Sequence, residues 1–231
     1  MNYLNKLNNQ YYLKTSAEFF KSHYKWRLNF LEKKKFLFNE ISNFINNCID
    51  NSKNIFIFCA GNSILAKGIL SKKTFIKEIN EKYKINYCSN IEYTDEFDKD
   101  KLSKCDTILV ADIEHQSNPT YNLLELSKII NDDAKIIVLS KNIIWMMFTN
   151  FLKKFFTFSP RRNNFLPTSY LENLYSCCNL EIIRNEKIIA FPIYIPLLTH
   201  ILNGLFRLPI LNILCLSNIT ILKKKKSKFH E

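Results

Sequence analysis

The chain has 231 residues, 47% of them hydrophobic, and 33 lysines and arginines against 21 aspartates and glutamates, a formal net charge of +12. That is enough for one well-covered core, and a single α/β domain is the simplest count. None of the seven cysteines forms a C-x-x-C pair and Cys177 adjoins Cys178, which argues against a zinc ribbon or a disulfide framework and for reduced, cytosolic thiols. The lysines are spread along the chain without an aromatic-interleaved stripe, which disfavours nucleic acid as a partner.

Residues 1–50 carry apolar clusters at helical spacing, among them Phe36, Leu37, Ile41, Phe44, Ile45 and Ile49, and read as a helical cap. Residues 51–53 are a turn signal. The stretch at 54–63 then organises the rest. Four apolar residues, Ile55, Phe56, Ile57 and Phe58, run without a break, as a strand buried on both faces requires. They end in Cys59, Ala60, Gly61, Asn62 and Ser63, a small turn leading into the helical spacing of residues 64–70. Such a turn offers backbone N–H groups to a ligand.

Residues 72–84 are polar with scattered apolar positions, and short strands are expected at 85–88 and 90–94. A second buried run at 105–111 delivers Asp112, Glu114 and His115 at its carboxyl end. Pro119 is expected in the loop, a helix at 121–130 and a third apolar strand at 134–140. Residues 167–178 predict a helix capped by Thr168 or Ser169 with Glu172 in its first turn. Strands are expected at 180–184, 187–191 and 214–222. Residues 188–206 hold no formal charge, yet Pro192 and Pro196 argue against a spanning helix. A surface-lying amphipathic helix there is the alternative, and the lysines from 223 onward read as a solvated basic tail.

The order of these parts resembles the class I S-adenosylmethionine-dependent methyltransferases. Residues 56–63 (FIFCAGNS) are similar to that family's first loop. Residues 106–119 (DTILVADIEHQSNP) are similar to its fourth-strand motif, and 136–145 (IIVLSKNIIW) to its fifth strand with the following Asn and aromatic. Residues 164–180 resemble its late helix. The resemblance implies an α/β fold: a Rossmann-like, mostly parallel seven-stranded sheet with helices on both faces. It would be preceded by a helical cap at 1–50, occupy 51–222 and leave a basic tail at 223–231. It implies S-adenosylmethionine as cofactor, held by Cys59, Ala60, Gly61, Asn62, Ser63, Asp95 and Asp112. His115 and Glu114 would face the methyl group and the acceptor, a small molecule, a sugar or a lipid-linked precursor, and no metal is implied. Two of the loop's three glycine positions are Cys59 and Ser63, and Ile57 replaces the acid within the strand. The short spacing from Gly61 to Asp112 predicts a truncated second strand or helix, with Glu78 and Glu81 as alternatives for the ribose-binding acid. The competing reading is the same fold without catalysis, serving as a scaffold. Either is compatible with a cytoplasmic protein whose C-terminal region touches a membrane surface.

Overall fold

The unbroken apolar run serves two faces at once. In strand β1, Asn54–Cys59, the side chains of Ile55 and Ile57 enter one core and those of Phe56 and Phe58 enter another. Successive strand residues point to opposite sides, so a strand covered on both must be apolar throughout. The same division holds for β4 (Thr107–Val110) and β5 (Lys135–Lys141). The structure, a computed structural model, describes residues 29, 32–49, 54–59, 64–78, 90–94, 98–111, 113–116, 118–145, 147, 166–189, 195, 197–206, 208 and 211–225.

Seven strands form one sheet in the order β3-β2-β1-β4-β5-β7-β6, with β2 at Lys73–Glu78, β3 at Ile91–Tyr93, β6 at Leu180–Ile188 and β7 at Ser217–Lys224. The contacts among β1 to β5 are parallel, and β7 runs antiparallel between β5 and β6. Helices α1 (Lys35–Asn46) and α2 (Ile64–Gly68) supply one core with Leu37, Ile41, Ile45 and Leu65, joined by Ile69 just after α2. On the other face α3 (Lys99–Ser103), α4 (Pro119–Ile129) and α5 (Thr168–Cys177) bring Leu102, Leu123, Leu126, Leu171 and Tyr175. A last helix, α6, spans Leu198–Leu205.

The α1–α2 contact is close. Ser42 Oγ donates to the Leu65 carbonyl at 3.1 Å. The Asn46 amide donates to the Gly68 carbonyl at 2.7 Å and accepts from the Leu70 N–H at 2.8 Å. Asn46 therefore closes the carboxyl end of α2, where helix carbonyls lack intrahelical partners.

Several expectations change. The polar stretch after residue 72 contains β2: Thr74, Phe75 and Ile76 are buried and only its ends are charged, a pattern too short to stand out from its lysines. The second strand, β2, has six residues, and residues 79–89, where the helix after it would fall, lie outside the described residues. Pro119 is the first residue of α4 rather than a loop residue, with Asn118 Oδ1 accepting from the Tyr121 N–H at 3.0 Å, because a proline's fixed φ suits the first helical position. The residue before α5 is Pro167, with no side-chain cap, and no acid lies in its first turn, so the Thr168 or Ser169 cap and the Glu172 placement are not realised. The two strands expected at 180–184 and 187–191 are one strand, β6, bulged between Ile182 and Arg184, which interrupts the alternation that sequence reading relies on. β7 continues through Lys224, two residues into the expected tail. The strand expected at 85–88 lies outside the described residues, as does most of 1–31. No helix among the described residues is long and apolar enough to cross a membrane.

Candidate active site at the carboxyl ends of the central strands

β1 and β4 are direct neighbours, and they are locked at both ends. Asp106 N–H donates to the Asn54 carbonyl at 3.1 Å while Asp106 Oδ2 accepts from the Asn54 N–H at 3.3 Å. At the carboxyl end, Ala111 N–H donates to the Phe58 carbonyl at 3.0 Å. The chain leaves β1 towards β2 on one side, and β4 opens the other half of the sheet. This is the topological switch point, where an open α/β sheet forms its ligand crevice.

Acidic residues follow the strands on this edge. Glu78 ends β2 and stands in register with Cys59, the last residue of β1. Asp95 comes two positions after Tyr93, the end of β3, and Asp112 two positions after Val110, the end of β4. Of the two alternatives for the ribose-binding acid, Glu78 is the last residue of β2, a strand the sequence pattern did not place, and Glu81 lies outside the described residues. The signal was the triple Thr74-Phe75-Ile76, whose β-branched and aromatic content marks a strand. Ala60, Gly61, Asn62, Ser63, Asp95 and Asp112 themselves lie outside the described residues.

The turn after β4 is firmly set. A 3-10 turn, Ile113–His115, follows the strand and carries His115. Glu114 within it is buried, and its Oε1 accepts the backbone N–H of Lys141 at the end of β5. Gln116 N–H donates to the Ile113 carbonyl at 3.1 Å, and Gln116 Oε1 accepts from Asn122 at 3.0 Å. The carboxyl ends of β4 and β5 are thereby joined through one carboxylate. Behind them Tyr175 is buried; burial pushes its phenol up, the charges of Glu114 and Glu172 add to that, and Thr220 opposes it.

Asn142, the residue after β5, was not singled out by role. Its amide donates to the carbonyls of Ile213 at 2.6 Å and Cys215 at 2.7 Å, and its Oδ1 accepts the Ile144 N–H at 3.1 Å. Trp145 Nε1 donates to the Leu214 carbonyl at 2.6 Å. These two side chains hold the 3-10 turn Leu211–Leu214 against the end of β5.

A cavity among the described residues lies elsewhere. It encloses about 530 Å³ between α1 and β6, lined by Phe44, Asn47, Cys48, Arg184, Lys187 and Asn212 among others. β6 is four strands from β1, roughly 19 Å at the usual strand spacing. That cavity is separate from the switch point. Arg184 is already engaged there, paired with Glu186 and set over the Phe44 ring at 5.6 Å.

A central parallel sheet with an antiparallel seventh strand between the fifth and sixth is the class I methyltransferase fold, and this chain has it. Solved structures share it. A SAM-dependent methyltransferase from Archaeoglobus fulgidus matches with a TM-score of 0.54 at 12% identity, over 85% of this chain and 99% of that one. Magnesium protoporphyrin IX methyltransferase from Synechocystis PCC 6803, with bound SAH, matches with a TM-score of 0.58 at 10% identity, over 93% and 100%. The 4+2 cyclase SpnF matches with a TM-score of 0.52 at 8% identity, over 81% and 80%, so one architecture carries more than one reaction name. No protein-family model and no curated protein matches the sequence.

Proposed function

We propose that this chain is an S-adenosylmethionine-dependent methyltransferase acting on a small-molecule, sugar or lipid-linked acceptor. The observation that carries the reading is the placement of Glu78 at the end of β2, level with Cys59 and beside the β1–β4 switch point. A carboxylate there suits the two ribose hydroxyls of the cofactor. Asp95 and Asp112, following β3 and β4, are the candidates for the adenine side and the pocket wall. Residues 59–63 would approach the amino-acid end, with Gly61 leaving its backbone open. The cofactor supplies an activated methyl group for in-line displacement, so positioning accounts for much of the rate. His115 is the proposed acceptor-side base. Glu114 sits in the same turn, and its bond to Lys141 suits it to holding that turn in place.

Isothermal titration with S-adenosylmethionine and S-adenosylhomocysteine tests this. Saturable heat is expected for the wild type. Glu78→Gln should weaken binding about tenfold, the worth of one charge-assisted hydrogen bond. His115→Ala should leave cofactor affinity unchanged. No saturable heat up to millimolar ligand would leave the scaffold reading.

A further inference from the structure

An uncovered apolar face lies at the carboxyl end of the sheet. Leu197, Ile201, Leu205 and Leu208 recur at spacings of four, four and three, which places them along one stripe of α6 and its continuation. Leu197 is 75% exposed, and the other three are 47–57% exposed. Hydrogen bonds tie α6 to the 3-10 segment: Leu208 N–H donates to the Leu205 carbonyl at 3.1 Å, and the N–H groups of Leu211 and Asn212 donate to the Leu208 carbonyl. Ile213 and Leu214 there are 50% and 41% exposed. The backbone beneath them is held inward, since Asn142 and Trp145 take the carbonyls of residues 213–215. Leu197 also holds a φ of 62°, a left-handed conformation that a leucine disfavours. Exposed apolar side chains that recur along one face mark an interaction surface.

We propose that this face docks on an anionic lipid surface. Charge favours lipid over a second copy. No aspartate or glutamate occurs between Asp133 and Glu172, or between Glu186 and Lys223, stretches that together hold eight lysines and arginines. Lys141 and Lys187 stand at this end of the sheet, in register with Ser217 and Asn218. In sequence, the stretch 148–165, which follows Trp145, contains six phenylalanines, Lys153, Lys154, Arg161, Arg162 and no acid. Apolar and aromatic groups with basic neighbours are the composition of an interfacial segment. Two copies meeting here would set cation against cation. Lys223, Lys224 and Lys225 take no part: β7 is antiparallel, so Lys224 lies at the far end, roughly 23 Å from Ser217 at the usual rise per residue. There Lys224 Nζ donates to the Ile130 carbonyl at 2.6 Å and pairs with Asp132 at 3.1 Å. The proposal does not depend on methyl transfer.

The test is co-sedimentation of the full chain with phosphatidylcholine vesicles and with vesicles one third phosphatidylglycerol, at low and high salt. Binding is expected to the anionic vesicles and to weaken in high salt. A double variant, Ile201→Glu with Leu205→Glu, should weaken it at least about tenfold. Both positions are solvated, so the fold should survive, and unchanged melting checks that; Leu197→Ser is a milder second variant. No pelleting of wild type at low salt overturns the proposal, as does pelleting indifferent to both variants. Light scattering that shows a dimer made monomeric by the double substitution would overturn it in favour of a self-association surface.

Discussion

The carboxylate of Glu114 accepts the backbone N–H of Lys141, and this one bond ties the turn after β4 to the end of β5. Both elements reach the edge where the chemistry is proposed.

Removing that tie should be costly. Glu114→Ala leaves a strand-end N–H without its acceptor and a gap in a buried place, about 2–4 kcal/mol of stability. Glu114→Gln keeps an oxygen for the Lys141 N–H and should recover at least half of the loss. Urea denaturation of the two variants reads the difference. Equal losses would show that the charge matters and the acceptor geometry does not.

Gly68 is required by the contact between α1 and α2. A Cβ added there would stand 2.6 Å from Ser42 Cβ and 2.7 Å from Ser42 Oγ. Ser42 is itself held by its bond to the Leu65 carbonyl. Gly68→Ala should therefore destabilise by about 1–3 kcal/mol, although alanine is the better helix former. Ser42→Gly removes the colliding atoms, so the double variant should be more stable than the sum of the single losses implies. Strict additivity in thermal or urea melts would refute the collision.

Glu92 on β3 gives a pH signature. The Lys101 and Lys73 ammonium groups, each 2.7 Å away, hold its carboxyl down to about 2. Its folded value lies below the unfolded one, about 4.3. The contribution is thus present above the unfolded value and fades as pH falls through about 2. The side chain is 38% exposed, so the pair is worth no more than about 1 kcal/mol and shrinks in salt. The stability gap between wild type and Glu92→Gln should be constant from neutral pH to about 5 and close by about 2. A gap that persists in acid would assign it to packing.

The neighbouring thiols Cys177 and Cys178 should differ sharply in reactivity. Cys177 is exposed and Cys178 buried. Cys105 is pushed up to about 12 by burial, with the charge of Asp106 adding. Alkylation at neutral pH, mapped by peptide mass, should label Cys177 while leaving Cys48, Cys105, Cys178 and Cys215 until the protein unfolds, because a thiol reacts as its thiolate and needs access. Labelling of Cys178 at a rate near that of Cys177 would contradict the packing of α5.

Asn142 joins β5 to the turn before β7 through donors alone, so its two substitutions should rank. Asn142→Ala should cost about 2–3 kcal/mol, and Asn142→Asp more, because it aims a carboxylate at the carbonyls of Ile213 and Cys215. In a Trp26→Phe background both should shift Trp145 emission, since its indole N–H shares that turn. Unchanged emission in both would uncouple Trp145 from the turn.

The fold class was legible from local pattern. Residues 55–58, 108–110 and 136–139 lie at the middle of a two-sided sheet, where burial on both faces demands an apolar residue at every position, and no partner need be known to read them. β2 and β6 were harder. Each lies nearer an edge, where solvent relaxes the demand; β2 shows three buried residues between lysines, and the bulge in β6 shifts its alternation by one. The candidate site divides in the same way. The loop at 59–63 and the Asp112-to-His115 segment stood out because each adjoins a strand visible in sequence. That Glu78 is level with Cys59 emerges only from the strand register, and although Pro192 and Pro196 already argue against a span, the exposure of Ile201 and Leu205 along a short helix is visible only in the fold. Burial of consecutive residues is written locally, whereas register, a strand's neighbour and the direction a helix faces are set by contacts between residues far apart in the chain. That is why the sequence alone determined a two-sided α/β sheet, and only the tertiary structure decided that Glu78 stands level with Cys59 and which apolar side chains of α6 meet the solvent.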